Sequence, residues 1–121
     1  MNNISDRLRI ETEHDIRYIF VDYTGLKEKG MIELINNHLA LTLETKLPFL
    51  ADFNNTFVTP GYMSHAKHFV TQTKNIIDRG ALLGINKVKS FILQGVLLTF
   101  QVNYKSFKTK EEALRFLSQK N

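Results

Sequence analysis

Strand-length apolar runs alternate with helix-length amphipathic ones along this chain, and the alternation starts only after a tight hairpin. Arg7–Thr12 has the make-up of a short strand, and Ile16–Tyr23 is a stronger one, rich in isoleucine, valine, tyrosine and phenylalanine. Only Glu13, His14 and Asp15 separate them, which suits an antiparallel hairpin and is too short for a crossover.

A long helix is expected over Lys27–Glu44, with Met31, Leu34, Ile35, His38, Leu41 and Thr42 on one face. Pro48 marks a boundary, and Phe49–Phe53 is a short apolar strand ending at Asp52. Thr59-Pro60 is a helix start, with threonine as the N-cap and proline at the first helical position. That helix is expected to reach Arg79, with Met63, Ala66, Val70, Thr73 and Ile77 as its buried stripe. Gly80 then stops it as a left-handed C-cap. Ala81–Gly84 reads as a very short buried strand, Lys87–Gln101 as a third helix, and Tyr104–Phe107 as the last strand. Thr109 and Glu112 form a capping box that opens a final helix, whose Ala113, Leu114, Phe116 and Leu117 face inward.

The order β-β-α-β-α-β-α-β-α predicts an α/β fold: a mostly parallel five-stranded sheet with one antiparallel edge strand and four helices. No linker, repeat or low-complexity segment interrupts it, so residues 1–121 are expected to form one domain. The absence of cysteine removes disulfides, thiol nucleophiles and iron–sulfur clusters. The net charge of +4 comes from scattered lysines with no interleaved aromatic ladder, a pattern of a solvated surface that argues against a nucleic-acid partner. The longest apolar stretch, Phe91–Phe100, is broken by Gln94 and Gly95 and is about half of the ~20 residues a membrane span needs. With no apolar signal-peptide core in Met1–Ile10, a cytoplasmic protein is expected.

Three local patterns carry a family resemblance. They are the strand ending in Asp52, the Ala81-Leu82-Leu83-Gly84-Ile85 strand that leads into a helix, and the closing aromatic-ended strand and capped helix from Tyr104 to Leu117. With the element order, they resemble the STAS domain (sulfate transporter and anti-sigma-factor antagonist), and more narrowly stand-alone bacterial SpoIIAA-like, or STAS/SEC14-like, proteins. The resemblance implies a regulatory, protein-interaction module without catalysis or a cofactor. Its SEC14-like branch implies an alternative, a carrier or sensor of a small apolar or lipid ligand. Anti-sigma-factor antagonists carry a phosphorylatable serine at the N-terminus of the second helix. Here that place falls on Pro60-Gly61, which cannot be phosphorylated, leaving Thr59, Thr56 and Ser64 as the candidates.

Other chemistry is sparse. His65 and His68 lie three apart on the second helix but point away from its apolar stripe, as a solvated pair does, and no metal site is expected. His38, inside an apolar face, is expected to bond a backbone carbonyl. Asp22 and Asp52 sit at strand ends, where open α/β sheets place their ligands. They permit a weaker hydrolase or lyase reading, against an Asx-turn role for Asp52. Phe57 and Val58 are apolar residues in a loop, expected either to plug the core edge or to cover a pocket. The candidate binding surface is Asp52, Phe53, Asn54, Asn55, Phe57, Val58, Tyr62 and Met63, together with Phe91 and Leu97 of the third helix. That helix is apolar over most of its circumference, so a second cover is expected from the last helix, a second subunit in a homodimer, or an apolar ligand.

Overall fold

A computed structural model describes residues 4–86, 89, 93 and 101–119. After a 3-10 turn at Ile4–Arg7 come β1 (Leu8–Glu13), β2 (Ile16–Asp22), α1 (Glu28–Thr45), β3 (Phe49–Asp52), α2 (Pro60–Thr73), β4 (Gly80–Leu83), β5 (Tyr104–Phe107) and α3 (Lys110–Ser118). The five strands lie side by side in chain order. β1 and β2 are antiparallel, and every later pair is parallel. His14 and Asp15 form the hairpin turn, both with positive φ (53° and 62°), and Glu13 faces Ile16 across it. Two left-handed residues match the right-handed twist of the strands they join.

Strand residues alternate between two cores because successive side chains leave a strand on opposite faces. On one face Ile19, Val21, Phe49, Ala51, Leu82 and Tyr104 meet the buried stripes of α1 and α2. On the other, Tyr18, Leu50, Ala81 and Leu83 meet Ala113, Leu114, Phe116 and Leu117 of α3. The capping threonines act as expected: Thr59 Oγ1 accepts from Tyr62 N at 3.2 Å, and Thr109 Oγ1 accepts from Glu112 N at 3.2 Å. Thr109 also donates its hydroxyl to Glu112 Oε1 at 3.0 Å.

Two expectations need correction. α2 ends at Thr73, not Arg79: the Ile76 amide bonds the Thr73 carbonyl at 2.8 Å in a tightened i→i−3 turn, sharing it with Ile77 (3.1 Å), and the chain leaves the helix to begin β4 at Gly80. Gly80 is therefore no C-cap; it is the first residue of β4. It lies where two aromatic rings meet over the sheet. A Cβ there would overlap Phe49 Cζ and stand 2.9 Å from Tyr104 Cδ1.

The third helix expected at Lys87–Gln101 lies for the most part outside the described residues, as do Phe91 and Leu97. Of that stretch, Leu93 is buried in the α1/α2-side core, and Gln101 is in a turn with φ 54°. Among the described residues no helix is long and apolar enough to cross a membrane.

Candidate functional site

The C-terminal ends of β2, β3 and β4 form one rim, and both strand-end carboxylates are there. Asp22 and Asp52 are register partners on adjacent strands. Each is engaged by its own loop. Asp22 Oδ1 accepts from Thr24 N (3.0 Å) and Thr24 Oγ1 (2.5 Å). Arg7, buried at the foot of β1, donates to the carbonyls of Asp22 (3.1 Å) and Thr24 (2.7 Å) and stands 3.9 Å from the Asp22 carboxylate. Asp52 Oδ1 accepts from Asn54 N (2.9 Å) and Asn54 Nδ2 (2.8 Å), the expected Asx-turn.

The turn at Asp52 launches the β3–α2 loop, which is pinned on either side of one exposed residue. Thr56 is 5 % exposed and donates its hydroxyl to the Leu26 carbonyl at 2.6 Å, with Met31 Sδ at 3.2 Å. Val58 is 8 % exposed. Gly25 N donates to Asn55 O at 3.0 Å and ties this loop to the one after β2. Between the two anchors Phe57 is 84 % exposed. It neither plugs the core edge nor covers a pocket, contrary to expectation. Two adjacent inward residues leave the side chain beside them only the outward direction. Beneath the loop Tyr23 stacks on Phe53 (centroids 4.7 Å apart), and Tyr62 meets Tyr23 edge-on at 5.5 Å. Burial pushes both tyrosine hydroxyls well above their ordinary pKa of 10.0.

Two further contacts complete the rim. Lys89 Nζ donates to the carbonyls of Phe53 (2.7 Å) and Gly84 (3.1 Å), tying the ends of β3 and β4. The Glu28 carboxylate, in the first turn of α1, lies over Gly61, where a Cβ would overlap it. A carboxylate at the start of a helix is favoured by the unpaired amides there. It occupies the space that any side chain at position 61 would need. Of the three modification candidates, Thr56 is buried and bonded, Thr59 accepts the helix-capping bond, and Ser64 is exposed with its hydroxyl 3.5 Å from the Pro60 carbonyl. Neither Lys89 nor Glu28 stands out in the sequence, since the Phe53 carbonyl that Lys89 bonds and the Gly61 that Glu28 covers are each more than thirty positions away. A lysine after a glycine-ended strand and a glutamate facing a helix-start glycine are the only local signs.

Behind the rim, an apolar cavity of about 50 Å³ opens between the sheet and the α1/α2 pair. Tyr23, Phe53, Tyr62 and Met63 of the rim line it, with His38, Phe49, Phe69 and Leu93 among the others. His38 is 2 % exposed, stacks on Phe69 at 4.4 Å and meets Phe49 edge-on at 4.9 Å. The expected carbonyl bond is not made at its Nε2, which has no hydrogen-bond partner among the described residues. Burial lowers its pKa from 6.5 to about 3, so the ring is neutral. His65 has only a long contact to Asn36 (3.4 Å) among the described residues, and His68 is exposed. Among the described residues no three His, Cys, Asp or Glu side chains converge on a metal position.

No family model matches the sequence, and no curated protein matches it. Solved structures do resemble it. One is an uncharacterized protein of the DUF3478 family with a SpoIIAA-like fold from Shewanella loihica PV-4. It has a TM-score of 0.71 and 18% identity, over 91% of each chain. Another is an anti-sigma-factor antagonist (STAS) domain protein from Planctomyces limnophilus. It has a TM-score of 0.65 and 18% identity, over 93% of this chain and 98% of that one. The likeness over nearly the whole length of each chain shows that this protein, with its five-stranded sheet and one antiparallel pair, has the SpoIIAA-like fold of STAS domains.

Proposed function

We propose that this chain is a non-catalytic interaction module that docks a protein partner through the β3–α2 loop, with Phe57 as the anchor. The observation that carries the reading is a phenylalanine 84 % exposed on a loop held on both sides by buried residues. Aromatic anchors dominate protein interfaces when they enter a partner's pocket, and a pre-set loop loses little entropy on docking. The likeness in fold to an anti-sigma-factor antagonist supports the same class of function. The use of both rim carboxylates as loop fasteners weighs against the hydrolase or lyase reading.

The test compares capture of proteins from the source cells by wild-type chain, by Phe57→Ala and by Leu43→Ala, the last altering an exposed apolar residue on α1. The reading expects a protein that wild type and Leu43→Ala retain and Phe57→Ala loses, with all three chains equally folded by circular dichroism. Identical capture by all three overturns it.

A second reading, a carrier of a small apolar ligand, is favoured by the cavity and by the unpartnered His38 Nε2 on its wall. At about 50 Å³ the space is about a third of the ~150 Å³ that holds benzene, which suits the end of an alkyl chain rather than a ring. Native mass spectrometry of the purified chain tests it. A bound mass that wild type keeps and His38→Leu loses supports it, and a ligand-free wild type counts against it.

A further inference from the structure

The open edge of the sheet carries a pattern that the docking loop does not use. Among the described residues β1 pairs with β2 alone, so one side of its backbone faces away from the sheet. The phase of that edge follows from the hairpin. Glu13 and Ile16 close a two-residue turn and so exchange backbone hydrogen bonds. Every second residue back along β1, Glu11 and Arg9, does the same with β2. Leu8, Ile10 and Thr12 therefore turn their N–H and C=O groups outward.

The side chains along this edge are self-complementary. Laid antiparallel on a second β1 about a two-fold axis through Ile10, the strand puts Ile10 opposite Ile10, Arg9 opposite Glu11, and Leu8 opposite Thr12. The axis falls on a residue whose backbone groups point outward, as an antiparallel ladder requires. A one-residue slip in register would place Arg9 opposite Ile10 and lose both charge pairs. Arg9 and Glu11 are side by side on the α3 face, where Arg9 Nε lies 3.0 Å from Glu11 Oε1 and the guanidinium covers Phe20 at 5.1 Å. Their side-chain exposures are 53% and 36%, within reach of a neighbour. Ile10, on the opposite face, is 41 % exposed, one of three large apolar residues so exposed among the described residues. Natural edge strands commonly repel copies of themselves with like charge. Here the charges attract a copy.

We propose that β1 is a homodimerisation edge: two copies join antiparallel through Leu8–Thr12, extending the sheet continuously across a two-fold axis. The interface is isologous, as a two-fold dimer demands. It is small beside the ~1,600 Å² of a standard interface, so the dimer dissociates on dilution.

The test is native mass spectrometry and sedimentation of the full chain over a dilution series, with Arg9→Glu, Glu11→Arg and Ile10→Pro. Proline at position 10 removes an outward N–H and leaves the β2 ladder intact. Each charge variant places like charges opposite one another in its own homodimer, so its dissociation constant is expected to rise roughly tenfold or more. Mixed together, the two variants are complementary again, and a heterodimer of near wild-type affinity is expected. A wild type that is monomeric throughout the series overturns the proposal. So does a dimer that survives all three substitutions, or a mixture of correctly folded charge variants that forms no heterodimer. Circular dichroism of each variant separates lost pairing from lost folding, and Phe57 plays no part in any arm.

Discussion

Lowering the pH from about 7 to about 5 should destabilise this protein through one residue, His38, and the size of the effect can be worked out. His38 is 2 % exposed among aromatic rings, and burial takes its pKa from 6.5 down to about 3. No charged group is among the residues it shares the cavity wall with. The folded chain therefore keeps the ring neutral across this range, while the unfolded chain takes up a proton below pH 6.5. Stability that is fully present above 6.5 falls as the pH drops, by ~1.4 kcal/mol per unit once the unfolded ring is charged. Integrated from pH 7 to pH 5 the loss is about 2 kcal/mol, a large share of the roughly 5–15 kcal/mol that holds a domain together. The figure depends on the ordinary pKa and not on how far below 5 the folded value lies. Glu13, held below its ordinary 4.5 by the Tyr18 hydroxyl and Lys110, contributes only further into acid. The assay is urea unfolding at both pH values for wild type and His38→Leu, which is close in volume and cannot titrate. The variant should lose about 2 kcal/mol less than wild type between the two conditions. Equal losses in the two chains would refute the reasoning.

Glycine positions give a graded set of outcomes by thermal unfolding. Gly80→Ala pushes a methyl group into Phe49 and Tyr104 and should cost about 1–3 kcal/mol. Gly84→Ala is strained twice, by a φ of 77° and by the backbone of Asn54, and should cost at least about 1–2 kcal/mol. At Gly61→Ser the nearest obstacle is the far end of the Glu28 side chain, so a loss under about 1 kcal/mol is expected, and smaller still when Glu28→Ala is added. Thr59→Ala removes the α2 cap and should lower stability by about 1 kcal/mol, with the folded spectrum unchanged.

The parts of the fold legible in the sequence are those specified within a few residues. The hairpin at His14-Asp15, the caps at Thr59 and Thr109, the Asx-turn at Asp52 and the helix stripes all depend on local spacing. The misread parts depend on distant neighbours. Gly80 looks like a helix stop until Phe49 and Tyr104, from two other strands, converge on its missing side chain. The last turns expected of α2 do not form because the chain turns at Thr73 to reach β4. At the candidate site the loop and its residues are legible in the sequence, but the direction of each side chain is not. Thr56 turns inward because Leu26, thirty positions earlier in the chain, offers a carbonyl, and that contact, with buried Val58, sends Phe57 outward.

The Glu28 carboxylate over Gly61 has a consequence for control. At the start of α2, the place that the STAS resemblance gives to a phosphorylatable serine, this chain has an acidic group encoded in its own sequence. A kinase and a phosphatase can toggle a serine, but neither can add or remove a glutamate. A partner docked as proposed on the β3–α2 loop would meet that carboxylate whatever the state of Thr59 or Ser64.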